Sequence, residues 1–215
     1  MTAVFNFERP DRDHIAQLAA FSCATIHEAN GQRGALPHFL KPISRDMRLH
    51  GTIMTVCCPA GDNLALHRAI EGASAGDVLV VDHEGSLDDG PFGDIMAEAC
   101  LVKGIAGLVI DGCIRDAATI RRMNFPVFCR GLCIRGTTKI HAGRIGHPIR
   151  LGQHVVESGG VILGDEDGLV VVARCEVPEA IEKCAHREQT ETGLRQAIRS
   201  GMSTIDLLNL KRELP

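Results

Sequence analysis

The chain has 215 residues, with 23 Lys and Arg against 27 Asp and Glu and a formal net charge of −4. That length suits one domain, and the charge pattern shows no basic stripe of the kind phosphate-backbone binding needs. With 7 Phe, no Tyr and no Trp, the chain also lacks the stacking platforms of single-strand binders, so a nucleic-acid partner is not expected.

The N-terminus, MTAVFNFERPDRDHI, has neither an apolar core region nor a cleavage site of the secretory kind. No apolar run reaches the ~18–20 residues needed to span a bilayer. A cytoplasmic protein without a membrane partner is expected. The nine Cys stand at 23, 57, 58, 100, 113, 129, 133, 175 and 184, and none belongs to a C-x-x-C pair. Most lie in apolar runs, which reads as buried reduced thiols in a reducing compartment.

In chain order, residues 11–30 have the three-and-four apolar spacing of a helix (Ile15, Leu18, Ala19, Cys23, Ile26, Ala29), broken by Gly31 and Gly34. Arg48–Cys58 reads as a strand. Pro59-Ala60-Gly61-Asp62 is a turn, and Leu64–Gly72 a short helix with Asn63 as its N-cap. Asp77–Asp82 (DVLVVD) is a buried strand. The acidic, glycine-rich segment His83–Gly93 follows as a loop, in which His83 and Glu84 could join a site because they follow a strand end, although loop solvation is the simpler reading for both. Asp94–Lys103 is a helix stopped by Gly104. Ile105–Asp111 is a strand, Ala117–Met123 a helix and Phe125–Cys129 a strand. This strand–helix–strand–helix–strand order predicts a parallel core with right-handed crossovers, whose sites gather at the carboxyl ends of the strands. Short β runs in 144–173, with a hairpin turn at Asp165–Gly168, predict antiparallel or mixed pairing, and 177–200 is a charged helix ending at Gly201. With no internal repeat or linker, 1–215 is read as a single domain, 177–215 being a C-terminal helical extension.

Polar side chains stand beside predicted helix starts at Gly61-Asp62-Asn63, Gly93-Asp94-Ile95 and Gly112-Cys113-Ile114-Arg115-Asp116. A helix start offers free N–H donors and a partial positive charge, so the N–H groups of Ile95 and Met96 could cradle a carboxylate. An arginine can hold a 2-oxo acid bidentately, and an aspartate is a hard oxygen donor suited to Mg²⁺ or Mn²⁺. On spacing alone, Asp116 and Asp94 also read as ordinary N-caps and Arg115 as a surface charge. By the same standard Lys139 is a solvated lysine and Glu191 a member of a helix ladder with Arg187 and Arg195. There is no G-x-S-x-G, P-loop or dinucleotide fingerprint.

The stretch GDVLVVD, then FGDIMAEACLVKGIAGLVIDGCIRDAATIRRMNFPVFCRG, resembles the class II 4-hydroxy-4-methyl-2-oxoglutarate / 4-carboxy-4-hydroxy-2-oxoadipate aldolases, which share a fold with the regulator of ribonuclease activity A. The specific element is Gly93-Asp94, twenty residues, then Arg115-Asp116, and a wider likeness runs from about residue 16 to residue 173. The resemblance implies a layered β/β/α, swivelling-domain-like fold within the α/β class. It implies that Arg115 holds pyruvate, that Asp116 binds Mg²⁺ or Mn²⁺ largely through waters, and that Asp94 lies near those waters. Gly93, Ile95 and Met96 would hold the carboxylate, with Asn63 and Lys139 completing the substrate site. Glu191 would arrive from a neighbouring subunit of a homotrimer or homohexamer. The implied activity is aldol cleavage of a 4-hydroxy-2-oxo diacid or triacid to pyruvate and a second oxo acid, with oxaloacetate decarboxylation as a side activity. A lysine Schiff-base aldolase on Lys139 or Lys103, a related lyase, and a non-catalytic regulator of a ribonuclease-type partner are the alternatives. The chain departs from the family at His83-Glu84-Gly85-Ser86, where a glycine-rich stretch is common.

Overall fold

The computed structural model describes residues 3–210. Residues 1–2 and 211–215, the latter the end of the predicted extension, lie outside the described residues. The predicted helix over 11–30 is two helices, α1 (Arg12–Leu18) and α2 (Cys23–Ala29). The break is capped chemically: Ser22 Oγ accepts from Thr25 N at 3.1 Å and the Asp165 carboxylate accepts from Cys23 N at 2.9 Å. The second contact comes from 142 residues away, which local spacing cannot show.

The chain then runs β1 (Lys41–Pro42), β2 (Leu49–Cys57), α3 (Leu64–Gly72), β3 (Asp77–Asp82), α4 (Asp94–Lys103), β4 (Gly107–Asp111), β5 (Cys113–Ile114), α5 (Ala117–Arg122), β6 (Val127–Cys129) and β7 (Gly131–Leu132). Antiparallel elements follow: β8 (Arg144–Ile145), β9 (Ile149–Leu151), β10 (His154–Val156), β11 (Val161–Gly164) and β12 (Leu169–Val172). The described chain closes with α6 (Val177–Arg199) and α7 (Thr204–Leu207). Gly104 ends α4 with φ 70°, and Ile105 N bonds back to Cys100 O at 2.9 Å. These bonds hold 104–105 in the helix cap and delay the strand to Gly107.

The main sheet has the order β1-β6-β4-β3-β2-β11-β12, with β8 added on β2. Its centre is parallel, β2–β3–β4–β6. The β1–β6, β2–β8, β2–β11 and β11–β12 pairs are antiparallel. The central strands are buried on both faces, and their side chains alternate between two cores. Leu79, Val81, Leu108 and Ile110 face the helices α3, α4 and α5, packing with Leu66, Ala97 and Ile120. Val78, Val80 and Val109 face the other way, against Leu36, Leu40 and the β9–β10 hairpin residues Ile149, Leu151 and Val156. This is the layered β/β/α arrangement. A third cluster joins α1, α2 and α6 to β11 and β12 through Ile26, Leu163, Val170 and Ala180. All nine cysteines are free, and six of them are buried. Among the described residues no helix is long and apolar enough to cross a membrane.

Candidate active site

The parallel strands β2, β3 and β4 end on one side of the sheet, and each is followed by a segment carrying polar groups. After β2 comes Asp62-Asn63, after β3 Gly93-Asp94, and after β4 and β5 Arg115-Asp116. These segments line a cleft of about 230 Å³ with Asn63, His67, Pro91, Gly93, Asp94, Ile95, Met96, Arg115 and Lys139. Residues proposed from sequence for the substrate are thus brought together from places far apart in the chain. His67 and Pro91 join them unannounced. His67 stands at i+4 from Asn63, one turn along α3 on the same face, a spacing visible in sequence.

Asp116 holds the N-cap position of α5, as its place in the sequence predicts, but its side chain does not cap. It precedes α5 in the left-handed region (φ 57°, ψ 27°), and its side chain makes no capping hydrogen bond to that helix. Its Oδ2 lies 3.4 Å from Asp94 N at the start of α4 and 3.5 Å from Arg115 Nε. Arg115 is placed by its backbone, whose N–H donates to Phe92 O at 2.9 Å. Gly93 allows this approach: a Cβ there would stand 2.5 Å from Asp116 Oδ2 and 3.2 Å from Arg115 Nε. Asp94 is the first residue of α4 and Gly93 its cap. The Asp94 Oδ1 accepts from the Ile95 N–H at 2.8 Å, so part of the predicted carboxylate cradle is covered by the protein's own carboxylate.

Asn63 also does something other than cap. Asp62 Oδ1 takes the Leu64 N–H at 2.9 Å instead. The Asn63 amide donates from Nδ2 to Pro91 O at 2.8 Å and contacts Met96 Sδ at 3.7 Å. A proline carbonyl can only accept, so the amide orientation is fixed by this network. The buried Asn63 Oδ1 has no partner among the described residues. It offers the cleft an acceptor, which suits a hydroxyl or water as donor.

Lys139 reaches the rim because Asp62 clamps its segment. Asp62 Oδ2 accepts from Thr138 Oγ1 at 2.6 Å and from Ile140 N at 2.7 Å, and Asn63 N donates to Thr138 O at 3.0 Å. Burial pushes the Asp62 carboxyl upward, but the hydrogen bonds from Thr138 and from the Ile140, Leu64 and His141 N–H groups outweigh it and hold it well below the usual carboxylate range. Burial, and then the charge of Lys139, lower the pKa of His67.

One further expectation changes. His83 is fully buried rather than solvated, while Glu84 is exposed and accepts from Ala60 N at 3.2 Å. Glu191 is not brought to the cleft within one chain: it pairs with Arg187 at 3.0 Å and Arg195 at 3.4 Å on α6, which packs against α1 and α2. Lys103 lies at the far end of α4 and donates to Glu71 O, about 14 Å from Asp94 at ~1.5 Å of rise per residue.

A mixed sheet whose strand ends gather an arginine, carboxylates and an unpartnered amide oxygen defines a layered α/β protein with a polar cleft at the ends of its parallel strands. Residues 20–171 match the RraA-like family model, described as Aldolase/RraA, and the chain belongs to that family. It is 32% identical over 193 residues to a protein of Halalkalibacterium halodurans described as "Putative 4-hydroxy-4-methyl-2-oxoglutarate aldolase", a match covering 90% of this chain and 92% of that one. A solved structure of an uncharacterized protein from Pseudomonas syringae pv. tomato is similar with a TM-score of 0.80 at 26% identity, over 92% of this chain and 97% of that chain. The RNA-processing inhibitor RraA from "Thermus thermophilis" is similar with a TM-score of 0.66 at 27% identity, over 71% of this chain and 92% of that chain. The family match ends before α6 and α7.

Proposed function

We propose that this chain is a divalent-metal-dependent lyase that cleaves the C3–C4 bond of a 4-hydroxy-2-oxo diacid or triacid, releasing pyruvate and a second oxo acid. The observation that carries the reading is the carboxylate of Asp116, held off its own helix and set against the Asp94 N–H and the Arg115 guanidinium, both of residues that line the cleft. The relative described as an aldolase supports it.

The donor set fits Mg²⁺ or Mn²⁺. Asp116 is a partly exposed hard oxygen donor with Asp94 beside it, and Mg²⁺ is commonly held by one or two carboxylates while keeping several waters. Among the described residues no group of three His, Cys, Asp or Glu could form an all-protein cage. When bound, the ion supplies Lewis-acid stabilisation of negative charge at the 2-oxo oxygen.

The chain's own residues do the rest. The Arg115 guanidinium binds the carboxylate and 2-oxo oxygens and stabilises the charge that develops there. Asn63 Oδ1 accepts from the C4 hydroxyl and orients it. Lys139 and His67 face the carboxylate of the leaving half. The hydroxyl proton passes to a base, Asp94 through a water or Glu191 of a neighbouring subunit. The C3–C4 electron pair moves into the enolate as the C4 carbonyl forms, and a proton returned to C3 gives pyruvate. Oxaloacetate would lose carbon dioxide through the same enolate.

The test follows pyruvate with a lactate dehydrogenase couple. 4-Hydroxy-4-methyl-2-oxoglutarate, 4-carboxy-4-hydroxy-2-oxoadipate and oxaloacetate are each offered with Mg²⁺ and with excess EDTA. Metal-dependent release is expected. Release that survives EDTA and is trapped by borohydride would move the chemistry to Lys139. No release from any of them, with metal bound, would favour the partner-binding reading that the RraA likeness suggests.

A further inference from the structure

The chemistry above makes no use of His83, yet its surroundings are specific. The ring is fully buried at the end of β3. Its Nδ1 faces the Cys58 carbonyl at 2.9 Å and its Nε2 faces Asp89 Oδ1 at 2.6 Å. A backbone carbonyl can only accept, so Nδ1 carries a proton. Asp89 Oδ2 already accepts from Ser86 Oγ at 2.6 Å and from Gly61 N at 3.1 Å. Burial raises the Asp89 carboxyl, but its bonds to Ser86 and His83 more than offset this and lower it overall. Both ring nitrogens therefore face acceptor oxygens, a carbonyl on one side and a carboxylate on the other. Of the other titratable groups, Asp82 and Glu84 flank it along its own segment, Cys58 meets it from the end of β2, and Asp111, paired with Arg130, and Cys113 flank Gly112, which packs against the ring. Asp89 is the carboxylate in contact with the ring, as a buried cation requires.

Three segments that carry the cleft meet on this ring. Cys58 leads through residues 59–62 to Asn63, and Asp89 lies in the loop that ends at Gly93-Asp94. Gly112 opens the turn to Arg115-Asp116, and a Cβ there would stand 2.9 Å from His83 Cδ2. Asp89 is tied by Gly61 to the first of these segments as well.

We propose that His83 and Asp89 form a buried positioning ion pair that sets Asn63, Asp94 and Arg115 relative to one another, so that the cleft binds a 2-oxo acid anion well only while that pair is intact. The last clause rests on the function proposed above, whereas the ion pair itself does not.

Long-range ¹⁵N–¹H correlation of the imidazoles near neutral pH, with the His83 signals assigned by their loss in H83Q, tests the charge. Both ring nitrogens protonated is the expected result, and a singly protonated ring overturns the proposal. Calorimetric titration with oxalate, a planar stand-in for the pyruvate enolate, is then run with Mg²⁺ on wild type, H83Q, D89N and the double variant, each with a thermal melt. Each single change should weaken oxalate about tenfold or more, and the double change no further, because the two act as one unit. Full affinity in folded single variants, or losses that simply add, overturns the positioning role. If wild type binds no oxalate, the function above fails, and the pair is judged by the NMR result and by hydrogen exchange of the Gly61 amide. That amide should exchange faster in D89N; unchanged exchange overturns the tie. Should H83Q or D89N not fold, S86A, which removes one hydrogen bond from Asp89, should show a smaller loss in the same direction, and no loss counts against the proposal.

Discussion

The Asp116 carboxylate precedes α5 but approaches α4, with Oδ2 3.4 Å from the Asp94 nitrogen and no hydrogen bond to its own helix. Its left-handed backbone, φ 57°, costs a non-glycine residue on the order of 1–3 kcal/mol, least for Asp and Asn. Such a residue holds its place because the surrounding contacts over-determine it. Asp116→Asn should therefore keep stability within about 1 kcal/mol, since Asn tolerates the same conformation. It should also lose the metal and, with it, about two decades or more of turnover. Denaturant titration and the pyruvate couple check the two halves separately.

Gly93 has an extended backbone that any residue can adopt, so its need for glycine is one of space. Its Cβ position lies 2.5 Å from Asp116 Oδ2 and 3.2 Å from Arg115 Nε. Gly93→Ala should displace both side chains and lower kcat/KM on the order of 100-fold, as a shift of roughly 1 Å in a reacting group can do. Its melting temperature should change little. Activity near wild type would show that the pair has room to move.

Asp62 supports the rim through Thr138 and Ile140. Its folded-state pKa lies below the ordinary 3.8. Its carboxylate therefore contributes stability that is fully present above that value and is lost as the pH falls toward the folded one. Asp62→Asn should destabilise the protein by on the order of 2 kcal/mol at neutral pH. Wild type and variant should converge in stability below pH ~4. Lys139, released from the clamp, should bind substrate less well, seen as a raised KM with a smaller change in kcat.

The thiols make a prediction of a different kind. Burial pushes Cys58, Cys100 and Cys129 up to about 12, and Cys184 to about 11, so they stay protonated where thiol reagents are used. Cys175 is exposed, and Cys57 and Cys133 are partly so. Native protein should show one fast phase of labelling, abolished by Cys175→Ser, with all nine thiols reacting only after unfolding.

Much of the fold was legible because its punctuation is local. The run DVLVVD predicts β3 over Asp77–Asp82, and Gly104 predicts the end of α4; both bounds match the structure. The split between α1 and α2 was not, because Asp165 reaches Cys23 across 142 residues. Resemblance pointed to Arg115, Asp116, Asp94, Asn63 and Lys139, and the structure gathers all but Asp116 as lining of one cleft, with Asp116 against Gly93 and Arg115. The means of assembly was hidden. Asp62 clamps Thr138 from 76 residues away. His83 lies in an acidic, glycine-rich sequence that reads as solvent-exposed, and only its partners at Cys58, Asp89 and Gly112 explain its burial.

Stabilisation of a pyruvate enolate by Arg115 and the Asp116 site can be tested without knowing the physiological substrate. Pyruvate in D₂O with the protein and Mg²⁺ should exchange its C3 protons for deuterium, followed by proton NMR of the methyl signal. Exchange should stop with EDTA and fall by about two to three decades in Arg115→Ala, the scale of one electrostatic stabiliser. Exchange that persists unchanged without Arg115, or a folded, metal-loaded protein that exchanges nothing, would contradict the account.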